Sequence, residues 1–453
     1  MQDTCATTLA ALLAAEQQRF IRTHPQSMAL AQRNQTHYLF GVPLHWMRDW
    51  PSPATLFVQH AQGAQLRCVD GHTYSDFCLG DTGAMFGHSP TPVAQAIAAQ
   101  AQQGLTYMLP SQLSIEVGAL LQGRFGLPLW QMALSASDAN RFVIKWARTI
   151  TQRPMLLVFD GCYHGAVDDT LVDLNPHSGL TEPRLSTLGA VHNHASFTRV
   201  VPFNNLAALE QALQNQNVAA LLAEPALTNF GLVPPAPDFW PQAHALCHQY
   251  GTLLVLDETH TLSSGVGGYT QQHGLQPDFW VAGKAVAGGL PSAVYGFTQA
   301  IGQRMREAKE NAPEGHSGIG TTLTGNALTM AALHAALSEL HTPHSYACMQ
   351  TAADTLEAGM CSRIQQHQLP WTITRMGARM ELQFMPHTPH NADDVRRGSQ
   401  PQLEALTHLF MLNRGVLLTP FHSMMLCSPQ TKPSDVQKLL HTLDEWIDTL
   451  KKL

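Results

Sequence analysis

The segments Leu254–Glu258, LVLDE, and Gly283–Pro291, GKAVAGGLP, carry the residues that decide the fold. The first has the composition of a buried strand and ends in two carboxylates. The second sets Lys284 among glycines and small apolar residues, where little solvent can hold an ammonium charge, and this favours the neutral, nucleophilic amine. Such a lysine is suited to Schiff-base chemistry, and a buried acid such as Asp257 can keep a pyridine nitrogen protonated. Taken alone, either residue is more often a helix cap or a loop residue.

Aliphatic runs and helical patterns alternate from about residue 130 to residue 300. This alternation predicts an α/β fold in which a mostly parallel sheet is covered by helices. In open sheets of this kind ligands bind beyond the carboxyl ends of the strands, so we expect the functional residues in the turns that follow the strands. The predicted strands are Met155–Phe159, Ala219–Ala223, Leu253–Leu256 and Ala293–Phe297.

The two ends of the chain predict a smaller α+β domain beside this large one. We expect a helix from about Thr8 to Arg22, a hairpin around Asp70-Gly71 and a closing amphipathic helix over Ser434–Leu450. The expected bounds are residues 1–75 for the N-terminal part of the small domain, 76–330 for the large domain and 331–453 for the C-terminal α+β part.

Composition excludes several classes of function. Charged residues make up only 13% of the 453 residues, and the formal charge of −7 leaves no basic surface for nucleic acid. No apolar run approaches the ~20 residues that cross a bilayer, and the short apolar run after Asp3 lacks the preceding basic residues of a signal peptide. The eight cysteines are scattered without a C-x-x-C pair. We therefore expect a cytoplasmic protein that binds neither nucleic acid nor membrane.

Histidine is abundant, with 24 copies. The pairs His192/His194 and His387/His390 have no acidic or cysteine partner at the spacing of metal ligands. We therefore expect no metal site.

Further segments place hydroxyl or aromatic groups beside predicted strands and helices. The turn Ser135–Ser137 opens a helical pattern, where backbone N–H groups and hydroxyls form either a phosphate site or an ordinary helix cap. Tyr163, in the segment Asp160–Gly165, offers a ring that either stacks on a planar ligand or packs in the core. The segment Gly320–Asn326 again sets hydroxyls before a helix.

In this order, with Glu224-Pro225 between them, the motifs resemble those of the class III aminotransferases among the fold-type I pyridoxal-phosphate enzymes. The branch most similar is that of glutamate-1-semialdehyde aminomutase and the β-amino-acid aminotransferases. The resemblance runs from about Asp70 into the C-terminal domain. It implies pyridoxal 5'-phosphate as the cofactor and a homodimer with shared active sites.

The resemblance also implies roles for the matching residues. Lys284 matches the Schiff-base lysine that also shuttles a proton, Asp257 the partner of the pyridinium nitrogen, and Glu224 an active-site acid near the substrate. Thr322 matches a threonine that reaches the phosphate of the neighbouring subunit. The other expected cofactor contacts are Ser135, Ala136, Ser137, Tyr163, His164 and His260.

The chain departs from the family pattern after Asp257-Glu258. The family usually has Val followed by Gln or Met there, whereas this chain has Thr259-His260. His260 therefore either hydrogen-bonds the phenolic oxygen of the cofactor, as Gln would, or is an ordinary packed histidine.

An amino-acid substrate needs its carboxylate held, most naturally by a bidentate arginine. Arg48, close to Trp46, is one candidate, and Arg379 is another, although either is as readily a surface salt bridge. Some relatives place a carboxylate-binding arginine where this chain has Phe421-His422, so we expect His422 to line the pocket.

The leading hypothesis is an aminotransferase that passes an amino group from an amino acid or amine to a keto acid or aldehyde. The alternative is an intramolecular aminomutase of the glutamate-1-semialdehyde type, which uses the same lysine, carboxylate and phosphate turn. A catalytically silent scaffold on the same fold is a third possibility. The sequence leaves the donor, the acceptor and the position of the amino group open.

Overall fold

The computed structural model describes residues 2–189 and 193–452, the side chains of residues 2–8 excepted. His192 of the first histidine pair lies outside these ranges. Within them, no group of three or more His, Cys, Asp or Glu residues is arranged to hold a metal ion. None of the described helices is both long and apolar enough to cross a membrane.

The chain forms two compact units. Unit 1 comprises Met1–Pro90, Ala347–Thr388 and Gly398–Leu453, and unit 2 comprises Thr91–Tyr346 and Pro389–Arg397. The expected boundaries, after residues 75 and 330, differ from these. Residues 76–90 belong to unit 1 because the backbones of Gly63 and His88 exchange two hydrogen bonds, of 3.0 and 2.8 Å. The helix that begins at Ala327 remains in unit 2 because it packs on two helices of that unit.

The strands are short, as is usual in globular proteins. In chain order they are β1 Val58–Gln62, β2 Gln65–Cys68, β3 Thr73–Asp76, β4 Leu129–Ala133, β5 Met155–Phe159, β6 Val172–Leu174, β7 Thr181–Pro183, β8 Thr198–Val201, β9 Val218–Ala223, β10 Leu253–Asp257, β11 Phe279–Ala282, β12 Ala293–Phe297, β13 Thr372–Met376, β14 Arg379–Gln383, β15 Val416–Leu417 and β16 Met424–Leu426.

The helices range from one turn to more than six. In chain order they are α1 Gln2–Thr23, α2 Pro25–Asn34, α3 Thr91–Ala101, α4 Leu113–Phe125, α5 Ala136–Thr151, α6 Leu206–Leu213, α7 Phe239–Gln249, α8 Gly268–Gln272, α9 Gln299–Glu310, α10 Ala327–Ala335, α11 Pro343–Gln366, α12 Ala392–Gly398, α13 Pro401–Leu412 and α14 Pro433–Leu450.

Unit 2 is built on a seven-stranded sheet in the order β4-β12-β11-β10-β9-β5-β8. Only β12 runs against its neighbours, and the other pairings within the sheet are parallel. Every residue of β9 and β10 is buried, which is why these segments are continuously aliphatic rather than alternating. The expected α/β fold with a mostly parallel sheet is confirmed.

Unit 1 contains a four-stranded sheet in the order β1-β2-β3-β15 and a three-stranded sheet in the order β13-β14-β16. β2 and β3 form the antiparallel hairpin expected around Asp70-Gly71. β15, from the C-terminal part of the chain, pairs in parallel with β3, so both ends of the chain build one sheet. The buried side of α14 lies in a core with α13 and both strands β14 and β16.

Candidate active site

The carboxyl ends of several strands meet along one edge of the sheet in unit 2. β5, β9, β10 and β11 are successive neighbours that run in the same direction. Tyr163-His164, Glu224 and Lys284 follow β5, β9 and β11, and Asp257 is the last residue of β10. β4 is parallel to them through the reversed strand β12, and the segment Ser135–Ser137 follows it at the same edge. The sheet therefore gathers expected site residues from five separate segments of the chain.

The carboxylate of Asp257 is 4% exposed and is bonded on both oxygens. Its Oδ2 accepts a hydrogen bond from the Nδ2 of Asn140 at 2.8 Å and lies 3.0 Å from the Nδ1 of His164. Its Oδ1 accepts from the backbone N–H of Thr259 at 3.1 Å and from the hydroxyl of that residue at 2.6 Å. A buried carboxylate with this many donors is held in one orientation.

The partners of Asp257 also keep it charged. Burial of Asp257 opposes a negative charge on it. The hydrogen bond and charge of His164 outweigh this effect, together with the hydrogen bonds from Thr259 and Asn140, so that the pKa of the Asp257 carboxyl is lowered. Burial likewise opposes a charge on His164, but Cys162 and the Asp257 carboxylate outweigh it and raise the pKa of His164 to about 10. Asp257 is therefore held as a carboxylate beside an imidazole whose pKa is raised.

The N-terminus of α5 forms the turn in which phosphate binding was expected. The hydroxyl of Ser135 accepts a hydrogen bond from the backbone N–H of Asp138 at 3.2 Å, so it caps the helix. The hydroxyl of Ser137 accepts from the backbone N–H of Ala166 at 3.1 Å, which ties the turn after β5 to this helix start. Backbone N–H groups at a helix N-terminus and the positive end of its dipole favour an anion.

Two glycines let other turns approach this helix start. A Cβ placed on Gly283 would lie 3.0 Å from the Cβ of Ala136 and 3.1 Å from its backbone nitrogen. A Cβ on Gly165, whose φ is +82°, would overlap the hydroxyl of Ser137. Any side chain at either position would therefore press on the α5 start, so the sequence needs glycine in both turns.

Lys284 begins a single 3-10 turn directly after β11, with its backbone in the left-handed region at φ +48°. A non-glycine residue in that region needs support from its surroundings. The amino group of Lys284 lies 2.7 Å from the Nε2 of His260, which is itself buried. The hydroxyl of Thr259 accepts a hydrogen bond from the backbone N–H of Gly283 at 3.2 Å.

Glu224 follows β9 and is 3% exposed. Its Oε1 accepts a hydrogen bond from the backbone N–H of Tyr163 at 3.2 Å, and the hydroxyl of Thr228 donates to its Oε2. Burial raises the pKa of Glu224 to about 7, so this carboxyl carries a proton in mildly acidic solution. The side chain of Tyr163 is 41% exposed, which leaves much of its ring accessible.

Thr322 is exposed on unit 2, in the turn ahead of α10. The same turn is closed by Thr324, whose hydroxyl accepts from the backbone N–H of Thr321 at 3.2 Å. Thr322 therefore faces away from the interior of unit 2.

The four expected substrate contacts lie in unit 1. Trp46 and Phe421 form an edge-to-face pair with ring centroids 6.3 Å apart, and both rings are partly exposed. Arg48 is exposed, with its Nε 3.2 Å from the Oδ1 of Asp49 and its guanidinium 3.8 Å from the ring centroid of Phe40. Its position is open to an anionic ligand, because an exposed ion pair of this kind contributes little stability.

Arg379 and His422 are more enclosed within unit 1. Arg379 is 1% exposed, and its Nη2 donates to the hydroxyl of Thr82, a residue in the left-handed region at φ +82°. The Nδ1 of His422 lies 3.4 Å from the Oε1 of Glu381. Burial opposes a charge on His422, but the Glu381 carboxylate outweighs it and raises the pKa of His422.

Three residues that support the site did not stand out in the sequence as functional. Asn140 binds Asp257, Thr259 links Asp257 to Gly283, and Thr228 binds Glu224. Thr259 could have been noticed because it stands where the family pattern differs. Asn140 sits one turn into α5 and had no signal of its own, since its partner lies 117 positions away in the chain.

Comparisons with known proteins show which proteins this chain is similar to. The glutamate-1-semialdehyde 2,1-aminomutase of Myxococcus xanthus (strain DK1622) is 31% identical over 405 residues, which cover 88% of this chain and 91% of that protein. The crystal structure of a glutamate-1-semialdehyde-aminomutase from Pseudomonas aeruginosa PAO1 superposes with a TM-score of 0.95 at 44% identity, covering 98% of this chain and 99% of that one. The structure of a lysine-to-alanine variant of a glutamate-1-semialdehyde-aminomutase from Pseudomonas aeruginosa PAO1, in complex with PMP, has the same TM-score, identity and coverage.

The match to a protein family covers most of the sequence. Residues 47–446 match the family described as aminotransferase class-III, and this range includes every segment that forms the strand-edge site. The relatives named above cover nearly the whole chain as well. This protein is therefore a member of the class III aminotransferases, enzymes that act on small-molecule amino and keto substrates.

Proposed function

We propose that this enzyme uses pyridoxal 5'-phosphate to move an amino group from an amino acid or amine to a keto acid or aldehyde. The proposal rests on one observation: Asp257, whose pKa is lowered, and Lys284 lie at the ends of the neighbouring strands β10 and β11, at the edge of the sheet where α5 begins. A nucleophilic amine, a buried anion and a helix N-terminus are the groups that an aldehyde, a pyridine nitrogen and a phosphate require.

The residues present fit this cofactor. Gly283 and Gly165 draw two turns against the α5 start, where Ser135 and Ser137 supply hydroxyls beside the backbone N–H groups. When bound, pyridoxal phosphate supplies an aldehyde that condenses with amines and a protonated ring that withdraws electrons from the attached carbon. We assign its phosphate to the segment Ser135–Ser137 and its ring nitrogen to Asp257.

Each remaining unit 2 residue has a task in this proposal. His164, Asn140 and Thr259 orient the Asp257 carboxylate and keep it ionised, so that it can hold a proton on the ring nitrogen. Lys284 would supply the amine that binds the cofactor covalently and, once free, would carry a proton between carbon atoms as a general base. Tyr163, whose side chain is exposed, would stack on the cofactor ring.

Glu224, with a pKa of about 7, can give up or accept a proton near neutral pH. We place it near the substrate as an acid. For the substrate carboxylate we propose Arg48 before Arg379, because Arg48 is exposed whereas the guanidinium of Arg379 is enclosed. Trp46 and His422 are proposed as further contacts to the substrate.

We also propose a cytoplasmic homodimer with shared active sites. Large apolar side chains are exposed between α3 and α4 and on the first turns of α4, among them Met108, Leu109 and Ile115, at 79%, 73% and 75% exposure. Such a cluster is typical of a surface that a partner covers. Thr322 is exposed on the same unit, as a residue that contacts the cofactor of a neighbouring subunit would be.

A second candidate function is intramolecular amino transfer within one molecule. It is supported by the relatives named as glutamate-1-semialdehyde aminomutases, two of them 44% identical over almost the entire chain. Both functions use the same lysine, acid and phosphate turn. They differ in whether a separate amino acceptor is needed.

Borohydride reduction in the presence of pyridoxal phosphate tests the cofactor assignment. Reduction fixes the cofactor to the lysine that binds it, and we expect the tag on the peptide that contains Lys284. The variant Lys284→Ala should lose turnover and tagging together, whereas Lys309→Ala, at an exposed lysine of α9, should retain both. A tag on any other lysine would overturn the assignment of Lys284.

Turnover with and without an acceptor separates the two functions. An aminotransferase given only an amino donor stops after one turnover per site and resumes when a keto acid or aldehyde is added. An aminomutase continues on an amino aldehyde without any acceptor. Continued turnover with one substrate alone would contradict intermolecular transfer.

A further inference from the structure

The turns that follow β10 and β11 are joined side by side. These strands are parallel neighbours, with Asp257 opposite Val281, so the residues after them leave the sheet together. Thr259 bridges the turns, since its hydroxyl donates to the Oδ1 of Asp257 at 2.6 Å and accepts from the N–H of Gly283 at 3.2 Å. The next residue of each turn, His260 and Lys284, then face each other.

The contact between these two side chains is short. The Nζ of Lys284 and the Nε2 of His260 are 2.7 Å apart, the length of a hydrogen bond to a charged group. The imidazole is buried, and Lys284 sits in the left-handed region at φ +48°. A strained backbone at a buried contact indicates that the surrounding structure fixes where the lysine side chain begins.

The chemistry of the two groups sets the direction of the hydrogen bond. An ammonium has donors only, so at this distance it requires a lone pair on the Nε2 of His260. A ring whose Nε2 accepts this bond carries its own proton on Nδ1.

We propose that His260 is a positioning residue that holds the amino group of Lys284, through Nε2, whenever that amine is not in covalent linkage. This goes beyond the expected contact between His260 and the cofactor, and only its catalytic consequence rests on the proposed function. Amino transfer requires the lysine to be displaced and then to carry a proton between carbons. A free lysine stem has many rotamers, and a fixed acceptor keeps the amine in place for that step.

The first test uses the cofactor-free protein and does not involve activity. Isotope-labelled histidine reports the tautomer of each ring by nitrogen NMR, and the signal of His260 is the one lost in His260→Gln. We expect the Nδ1–H tautomer in the wild type and a mixture of tautomers in Lys284→Met, which keeps an unbranched stem but removes the donor. An Nε2–H tautomer in the wild type, or the same tautomer in both proteins, would overturn the proposal.

The second test separates positioning from binding. His260→Leu should lower kcat by about 10- to 100-fold, the worth of one hydrogen bond to a charged group, and leave the KM for the amino donor nearly unchanged. His260→Gln, whose amide oxygen can accept the same bond, should recover part of the loss. A purely structural role would instead lower the activity of both variants alike and alter their circular dichroism. If the wild type moves no amino groups, the proposed function fails, while the tautomer measurement still decides the role of His260.

Discussion

Replacing Glu224 with glutamine should stabilise the folded protein at alkaline pH. The Glu224 carboxyl is buried, and its pKa rises from 4.5 to about 7 because burial penalises the charged form. An acid whose pKa is raised on folding contributes stability that is complete below the unfolded value and is lost as the pH rises through the folded value. Each pKa unit corresponds to about 1.4 kcal/mol, so a shift of roughly 2.5 units removes about 3 kcal/mol from the free energy of unfolding above pH 7.

Glutamine has nearly the shape of a protonated glutamate and cannot ionise. Its amide oxygen can accept from the N–H of Tyr163, and the hydroxyl of Thr228 can turn to accept from its NH2 group. We therefore expect Glu224→Gln to exceed the wild type by less than about 1 kcal/mol at pH 5 and by about 3 kcal/mol at pH 8.5.

Thermal denaturation of the cofactor-free proteins at both pH values measures this difference without a contribution from ligand binding. Glu314→Gln, at an exposed carboxylate, is the matched control, and the difference between its stability and that of the wild type should be the same at both pH values. A difference between Glu224→Gln and the wild type that is equal at pH 5 and pH 8.5 would refute the reasoning, because it would show that folding does not raise the pKa of Glu224.

Two further substitutions test the proposed contacts. Asp257→Asn should lower kcat at least about 100-fold, since a neutral amide cannot keep a ring nitrogen protonated, and steady-state rates near the wild-type value would place that function elsewhere. Arg48→Ala should raise the KM for a carboxylate substrate about 10- to 100-fold, the worth of a charge-assisted hydrogen bond, whereas Arg33→Ala, at an exposed arginine of α2, should not. An unchanged KM in Arg48→Ala would favour Arg379.

Much of the fold follows from local patterns. The runs Met155–Phe159 and Ala293–Phe297 are strands with the predicted bounds, and the Asp70-Gly71 turn joins two antiparallel strands. What the sequence could not predict was the direction of Ala293–Phe297, which runs against its neighbours. Strand direction depends on the path of the connecting chain, and an aliphatic run reads the same either way.

The division into two units also depends on contacts between distant parts of the chain, which the sequence did not predict. The two-residue strand β15 pairs with β3, from the other end of the chain, and thereby completes a sheet of unit 1. The return of Pro389–Arg397 to unit 2 had no compositional signal either. It is tied there by Arg396, whose guanidinium makes two hydrogen bonds, of 2.7 and 2.8 Å, with the Asp160 carboxylate. Pairings of this kind are set by tertiary structure, which propensity does not record.

For the candidate site, the sequence indicated which segments lie at the ends of strands better than it indicated the contacts between them. Lys284 and Asp257 were expected from their local sequence and Glu224 from the family resemblance. Asp257 ends β10, and Glu224 and Lys284 come after its two neighbours in the sheet, β9 and β11. The hydrogen bond between the ring of His164 and the Asp257 carboxylate was not predicted. The partner Asn140 was not expected at all, because a hydrogen bond between distant segments leaves no periodic pattern in the chain.

The adjacent acids Asp257 and Glu258 show why structure must decide between residues that look alike in sequence. Both are buried carboxylates at the end of β10. Asp257 faces His164, whose pKa is raised, and the pKa of Asp257 is lowered. Glu258 accepts hydrogen bonds from neutral donors, the N–H of Tyr269 at 2.6 Å and the indole of Trp280 at 3.2 Å, and burial raises its pKa. Neutral donors satisfy the oxygens of Glu258 but cannot balance a charge as His164 does. Of the two, only Asp257 is therefore equipped to remain an anion opposite a cationic ligand, and Glu258 serves to anchor the turn that begins α8.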